Sequence, residues 1–280
     1  MSADLDHLPP LRESLADHGL LAKKSFGQHF LLDLNVTRKI ARLSGPFEGR
    51  TVIEVGPGPG GLTRALVESD ASKVIAVEKD ARFLPLLNEL AEASGGKLVV
   101  VEADALKVDE QTLLTEHAGG AEGHLVSNLP YNVGTPLLLK WLTGPWRPHG
   151  MGLMFQKEVA DRVAAEPGSD AYGRLAVISQ AVCTARVVMD LPARAFTPPP
   201  KVASAVVRLD PLPSRPPEAE LKALERVTAA AFGQRRKMLR SSLKQLGGAA
   251  LCEKAGVDAD ARAEVIPVEG FLRLARATLS

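Results

Sequence analysis

The chain has no apolar run of the roughly eighteen residues that a bilayer-crossing helix needs, although 45% of its 280 residues are hydrophobic. A transmembrane helix is therefore excluded. The opening stretch, MSADLDHLPPLRESLADHG, lacks the basic and apolar blocks of a secretory signal, so a cytoplasmic location is expected. Cysteine is scarce: Cys183 and Cys252 stand far apart, with no CxxC and no clustered histidine. This supports neither a disulfide framework nor a metal site, and both thiols are expected in the core. Neither sign of charge is in excess, the formal net being +1, so composition gives no argument for a nucleic-acid partner. Repeats, low-complexity tracts and coiled-coil patterning are also missing, and a monomer is expected.

What the chain does have is alternation. From residue 51 the runs TVIEV, KVIAV, KLVVV, HLVSN and MGLMF read as strands, with helical patterns such as GLTRALVES and ARFLPLLNELAEA between them. Alternation of this kind makes crossover units and a parallel sheet, and near-continuous apolar strands suit a sheet covered on both faces. ARVVMDL and ASAVVRLD follow without a convincing helix between them, so an antiparallel pair is expected at one edge, linked by the stiff PARAFTPPPKV. Residues 210–220, DPLPSRPPEAE, hold four prolines and read as a linker. Beyond them only helical patterns occur: AELKALERVTAAAF, RRKMLRSSLKQL and PVEGFLRLARATL. The expected architecture is α/β, a sheet domain over 1–210 with an N-terminal extension at 1–22, and a small all-helical domain over 211–280.

The first strand runs into EVGPGPGGLTRAL, where Gly56, Gly58 and Gly61 satisfy a dinucleotide-type G-x-G-x-x-G, a weak signal by itself. Pro57 and Pro59 sharpen it. Each removes an N–H that a pyrophosphate cradle would use, which favours a ligand without phosphates. Glu78 ends the second strand 22 residues after Gly56, where a carboxylate can accept both hydroxyls of a ribose. Asp104 ends the third, placed to accept an adenine amino N–H. Alone, Glu78 reads equally well as a helix cap and Asp104 as a turn residue. Together, at the carboxyl ends of successive strands, they describe a nucleoside site, and adenosine held without a phosphate cradle points to S-adenosylmethionine. The motif resembles that of class I, Rossmann-like methyltransferases.

The fourth strand ends in Asn128-Leu129-Pro130-Tyr131. An exocyclic adenine amine is a poor nucleophile because its lone pair is delocalised into the ring. Two acceptors aimed at its hydrogens, the Asn128 side-chain oxygen and the Leu129 carbonyl, would favour a tetrahedral nitrogen with its lone pair toward a methyl donor. Pro130 would hold the backbone rigid and Tyr131 would stack on the base. The bland alternative is an Asn-containing turn with Tyr131 in the core.

With these motifs in order, the chain resembles the ribosomal RNA adenine N6-dimethyltransferases, and most of all those of the bacterial small subunit. KKSFGQHFLLD, EVGPGPGGLT, SNLPYNVGTPLLLK, FTPPPKVASAVVRL and AAFGQRRKMLRSSLK carry the resemblance from about residue 23 to 244. It implies that Gln28, His29 and Leu31 close over the donor's methionine end; many relatives have Asn at the position of His29. It implies that Gly56, Gly58 and Gly60 hold the methionine portion, that Glu78 with Lys79 takes the ribose, and that Asp104 with Ala105 takes the adenine. Asn128 to Tyr131 would act on the target base, and Phe196 would be its second aromatic wall, although from its own surroundings Phe196 reads as core. The implied partner is 16S ribosomal RNA within a 30S precursor, where two adjacent adenosines in the 3′-terminal hairpin loop are dimethylated.

The basic run at residues 233–244 supplies Arg235, Arg236, Lys237, Arg240 and Lys244 with no acid among them. It reads either as a solvated helix face or as an RNA-binding surface, the role that the resemblance favours. Three other functions compete. A macrolide-resistance 23S methyltransferase shares the first motifs but not FGQRRKMLRSSLK. A nicotinamide-dependent dehydrogenase is opposed by Pro57, Pro59 and NLPY, and a catalytically silent assembly factor by intact Asn128, Tyr131 and Glu78.

Overall fold

The computed structural model describes Leu5, residues 8–20 and residues 29–280. Helix α1 (Leu11–Asp17) precedes a two-residue strand, β1 (Phe30–Leu31), and α2 (Leu34–Ser44), whose first turn is capped by the Asp33 side chain accepting the Asn35 N–H. There follow β2 (Thr51–Val55), α3 (Gly61–Glu68), β3 (Lys73–Glu78), α4 (Leu84–Ala93), β4 (Leu98–Glu102), α5 (Glu110–Ala118), β5 (Gly123–Asn128), α6 (Gly134–Thr143) and β6 (Gly150–Gln156). The alternation read from the sequence is thus a series of crossover units. The later elements are α7 (Lys157–Val163), α8 (Arg174–Gln180), β7 (Cys183–Leu191), β8 (Phe196–Thr197), β9 (Ser204–Pro211), α9 (Glu218–Gly233), α10 (Leu239–Ser242), α11 (Gly248–Ala255) and α12 (Val268–Ala277).

Seven strands form one sheet in the order β4-β3-β2-β5-β6-β9-β7, and the pairs from β4 through β6 are parallel. β2 is buried along its whole length. Each fully buried Val or Ile of such a strand contributes about 1.5–3 kcal/mol, which is why a continuous apolar run, rather than an alternating one, marks a sheet covered on both faces. The chain order reverses between β2 and β5. Their ladder runs from Thr51↔Gly123 to Ile53↔Leu125, and past it the Ser127 hydroxyl donates to the Val55 carbonyl at 2.5 Å. A crevice at such a reversal, outside the carboxyl ends of the strands, is where open α/β sheets bind ligands.

A separate two-stranded ladder pairs β1 with β8, Phe30↔Thr197 and Leu31↔Phe196, antiparallel. It was not foreseen, since its partners lie far apart in the chain.

The chain divides into two compact units. One comprises residues 1–138, 148–157 and 187–208; the other comprises 139–147, 158–186 and 209–280. Within the second, α9 packs on α8, α10 and α12, and α11 on α10 and α12. Its aromatic centre is Phe232, 5.4 Å from Phe271 and 6.0 Å edge-on from Tyr172. The expected helix over RRKMLRSSLKQL is corrected here. α9 ends at Gly233, α10 has four residues, and between them the chain is irregular. The Leu239 and Arg240 N–H groups donate to the Ala261 and Ala259 carbonyls, and Met238 bridges Arg262. Tertiary hydrogen bonds have overridden the helical periodicity.

No helix among the described residues is long and apolar enough to cross a membrane.

Candidate functional site

At the β2/β5 reversal lies a cleft of about 490 Å³, the size of small-molecule and cofactor sites. Its floor is the glycine loop. Gly56, Gly58 and Gly60 all have positive φ, which a side chain would resist. Close approach is the second requirement: a Cβ on Gly56 would meet the Pro130 ring at 3.3 Å, and one on Gly61 would meet the Leu31 carbonyl oxygen at 2.3 Å. The loop therefore touches both β1 and the exit of β5. Pro57 and Pro59 lie on the cleft wall, where they offer apolar surface and no donor.

Glu78 braces this loop. Its carboxylate accepts the Gly58 N–H at 2.9 Å and the Asp80 N–H at 2.7 Å, one on each oxygen, which leaves acceptor capacity for a diol. Burial pushes its pKa up, and hydrogen bonds from the Asp80, Gly58 and Lys79 backbone hold it down in part.

Glu54 is the group that sequence reading passed over. It sits in the fully buried β2, is 1% exposed, lines the cleft, and its Oε2 has no hydrogen-bond partner. Burial pushes its pKa up to about 8, and the nearby Glu78 adds to the rise. A buried carboxylate oxygen without a donor is costly unless a ligand completes it. A cationic ligand would do so, and S-adenosylmethionine carries both a sulfonium and an ammonium. The residues present fit that group.

The opposite wall rises from β5. Asn128 is half-buried, Leu129 is buried, and Pro130, Tyr131 and Asn132 are exposed. Tyr131 is 36% exposed, so it is a surface ring on the cleft and not a core residue. Its hydroxyl is hydrogen-bonded to the Ser204 hydroxyl at 3.0 Å. Beside it stands His29, ring centroids 6.1 Å apart and planes 31° apart. The His29 Nδ1 lies 2.8 Å from the Pro198 carbonyl oxygen; since a carbonyl only accepts, Nδ1 carries the proton in that bond. Phe30 and Phe83 complete the lining with an edge-to-face contact at 5.7 Å.

Residues 19–278 match the family described as ribosomal RNA adenine dimethylase. The chain belongs to that family. Its members draw methyl groups from S-adenosylmethionine and transfer them to adenine. The chain is 67% identical over 276 residues to ribosomal RNA small subunit methyltransferase A of Phenylobacterium zucineum, spanning 99% of this chain and 95% of that one. It is 71% identical over 259 residues to the protein of that name from Caulobacter vibrioides, spanning 92% and 98%. Among solved structures it is similar to a dimethyladenosine transferase from Plasmodium falciparum, with a TM-score of 0.72, 24% identity and coverage of 88% of this chain and 96% of that one. It is also similar to the 23S rRNA methyltransferase ErmE, with a TM-score of 0.66, 26% identity and coverage of 90% and 100%.

In this dimethylase the cleft gathers His29, Leu31, Gly56, Gly58, Glu78 and Asn128 to Tyr131 from among the expected site residues. Gln28 lies outside the described residues. Gly60 caps α3 instead of lining the cleft. Lys79 and Asp104 form an ion pair at 2.9 Å, and Asp104 also accepts the Leu106 N–H; neither they nor Ala105 line the cleft. The Lys79 ammonium, hydrogen-bonded to Asp104, holds its carboxyl below the usual range. Phe196, expected as the second aromatic wall, is not among the residues lining the cleft. Phe196 is 3% exposed and packs with Leu31, Ile40 and Leu191 in the core, because its strand pairs with β1.

The basic run is also divided. Arg235 pairs with Glu264 at 3.0 Å and Arg240 with Asp260 at 2.8 Å. Arg236, Lys237 and Lys244 are exposed and form no ion pair among the described residues.

Proposed function

We propose that the chain uses S-adenosylmethionine to dimethylate N6 of two adjacent adenosines in the 3′-terminal hairpin loop of 16S ribosomal RNA. The small-subunit particle in the cytoplasm is its partner, and it acts as a monomer. The observation that carries the reading is the shared cleft: the glycine loop, Glu54 and Glu78 form one side, and Asn128 to Tyr131 form the other. Relatives that span nearly the whole chain act, by name, on small-subunit RNA.

S-adenosylmethionine supplies an electrophilic methyl group when bound. Glu54 completes its unpaired oxygen against the ligand's positive charge. The free lone pairs of Glu78 take the ribose hydroxyls, and the apolar wall of Pro57, Pro59, Phe30 and Phe83 excludes water. Asn128 and the Leu129 carbonyl accept the two N6 hydrogens of a flipped adenine, so that the nitrogen presents its lone pair. Tyr131 offers a ring face to the base. Each transfer would form the bond from N6 to the methyl carbon as that carbon's bond to sulfur breaks, leaving S-adenosylhomocysteine, with one N6 proton passing to solvent; a second donor molecule would repeat this on the remaining hydrogen. Positioning does most of the work. Residues 211–280 bind RNA through Arg236, Lys237 and Lys244, with Arg235 and Arg240 held partly by their own acids.

Asn128→Ala is expected to lower kcat by on the order of 10²-fold or more while particle binding stays within about threefold. Equal loss of both would contradict the role given to Asn128.

A further inference from the structure

Residues 198–204 are not among those lining the cleft, yet they hold both rings that stand beside each other there. At one end the Pro198 carbonyl accepts the His29 Nδ1 proton at 2.8 Å. At the other the Ser204 hydroxyl, fully buried, meets the Tyr131 hydroxyl at 3.0 Å. Tyr131 itself is exposed and follows a proline at the end of a strand. An exposed ring in that position is free to change rotamer unless something fixes its far end. Ser204 is the first residue of β9, which lies between β6 and β7 in the sheet and whose next residues, Ala205 to Val207, are wholly buried, and Lys157 N–H donates to the Ala203 carbonyl just before it. The anchor is thus buried and the ring it holds is exposed.

We propose that Ser204 is a positioning residue for methyl transfer, acting through the Tyr131 hydroxyl, and that residues 198–204 form a two-point clamp on His29 and Tyr131. This rests on the functional reading above. Stacking needs only a ring face, which phenylalanine also has, so the hydroxyl of Tyr131 serves orientation and not contact with the base. A ring already fixed at the angle that receives the base loses less freedom when the base arrives.

The chain has two tyrosines, Tyr131 and Tyr172, and Tyr172 is fully buried with its hydroxyl donating to the Ile266 carbonyl at 2.8 Å. Uniform 3-fluorotyrosine labelling therefore gives two fluorine resonances, one a built-in reference. Ser204→Ala, Tyr131→Phe and the double variant are compared for methyl transfer to unmodified small-subunit particles and for donor affinity. Each single variant is expected to lower kcat by roughly 3- to 10-fold, the worth of one neutral hydrogen bond. Donor affinity is unchanged, and the double variant is no worse than either single. In Ser204→Ala the Tyr131 resonance shifts and narrows while that of Tyr172 stays.

Losses that multiply in the double variant would overturn the proposal, because Ser204 would then act by another route. So would a Ser204→Ala protein with an unchanged Tyr131 resonance and unchanged kcat. Tyr131→Phe leaves the buried anchor untouched, so it separates loss of the tether from any loss of folding. If the unaltered chain transfers no methyl to the particle, the functional reading fails, and the Tyr131 resonance still decides whether the tether exists.

Discussion

At the scale of single residues, Glu54 and Asn128 line one cleft, and the proposed function gives the first a task of charge and the second a task of direction. Glu54 is the only cleft carboxyl described here with an oxygen left unpartnered, and its pKa near 8 means that it is largely protonated in the free protein at neutral pH. A cation bound beside it favours the carboxylate, so binding must release a proton. The sign follows from linkage: donor affinity rises with pH below about 8, by up to roughly tenfold per unit. Calorimetry between pH 6 and 7.5, in two buffers of different ionisation enthalpy, is expected to show proton release that Glu54→Gln abolishes. Release that persists in Glu54→Gln would assign the proton elsewhere. Asn128 was legible from the sequence because its amide stands where a buried strand ends. Glu54 was not. An acid in a strand has no sequence signature that separates a solvent-facing side chain from one aimed at a cleft, and only the burial of all five residues of β2 shows which it is.

At the scale of elements, the site depends on a ladder of two residues. β1 carries Phe30 and Leu31 to the cleft and is held by β8, where Phe196 pairs with Leu31 and fills the core. Phe196→Ala should cost about 3–5 kcal/mol of stability, read as a lower urea midpoint. Unchanged stability with a raised KM for RNA would return Phe196 to the cleft wall. The five parallel strands and the helices between them were readable because covered strands are continuous apolar runs and their partners follow in short crossover units. Pairing of β1 with β8 was not, because it joins residues far apart in sequence with too few positions to leave a pattern. The segment 235–246 misled for the opposite reason: its periodicity is helical, but the carbonyls of Ala259 and Ala261 claim the N–H groups that a helix would use.

At the scale of the whole molecule, a near-neutral chain must concentrate the charge it offers to RNA. Residues 211–280 hold twelve Lys and Arg against eight Asp and Glu, and the exposed Arg236, Lys237 and Lys244 carry the part of the basic run that pairs with no acid among the described residues. Reversing Arg236 and Lys237 to Glu is expected to weaken particle binding and flatten its dependence on salt, with each lost phosphate contact removing about 0.7–0.9 from the logarithmic slope. Donor affinity should not move. An unchanged slope would return this segment to a solvated surface. The central claim is tested most directly by incubating the protein with labelled S-adenosylmethionine and unmodified small-subunit particles, with large-subunit RNA alongside, followed by nucleoside mass spectrometry. N6,N6-dimethyladenosine is expected in the small-subunit RNA alone, at two adjacent positions. Label confined to large-subunit RNA, or donor binding with no transfer to either, would contradict it.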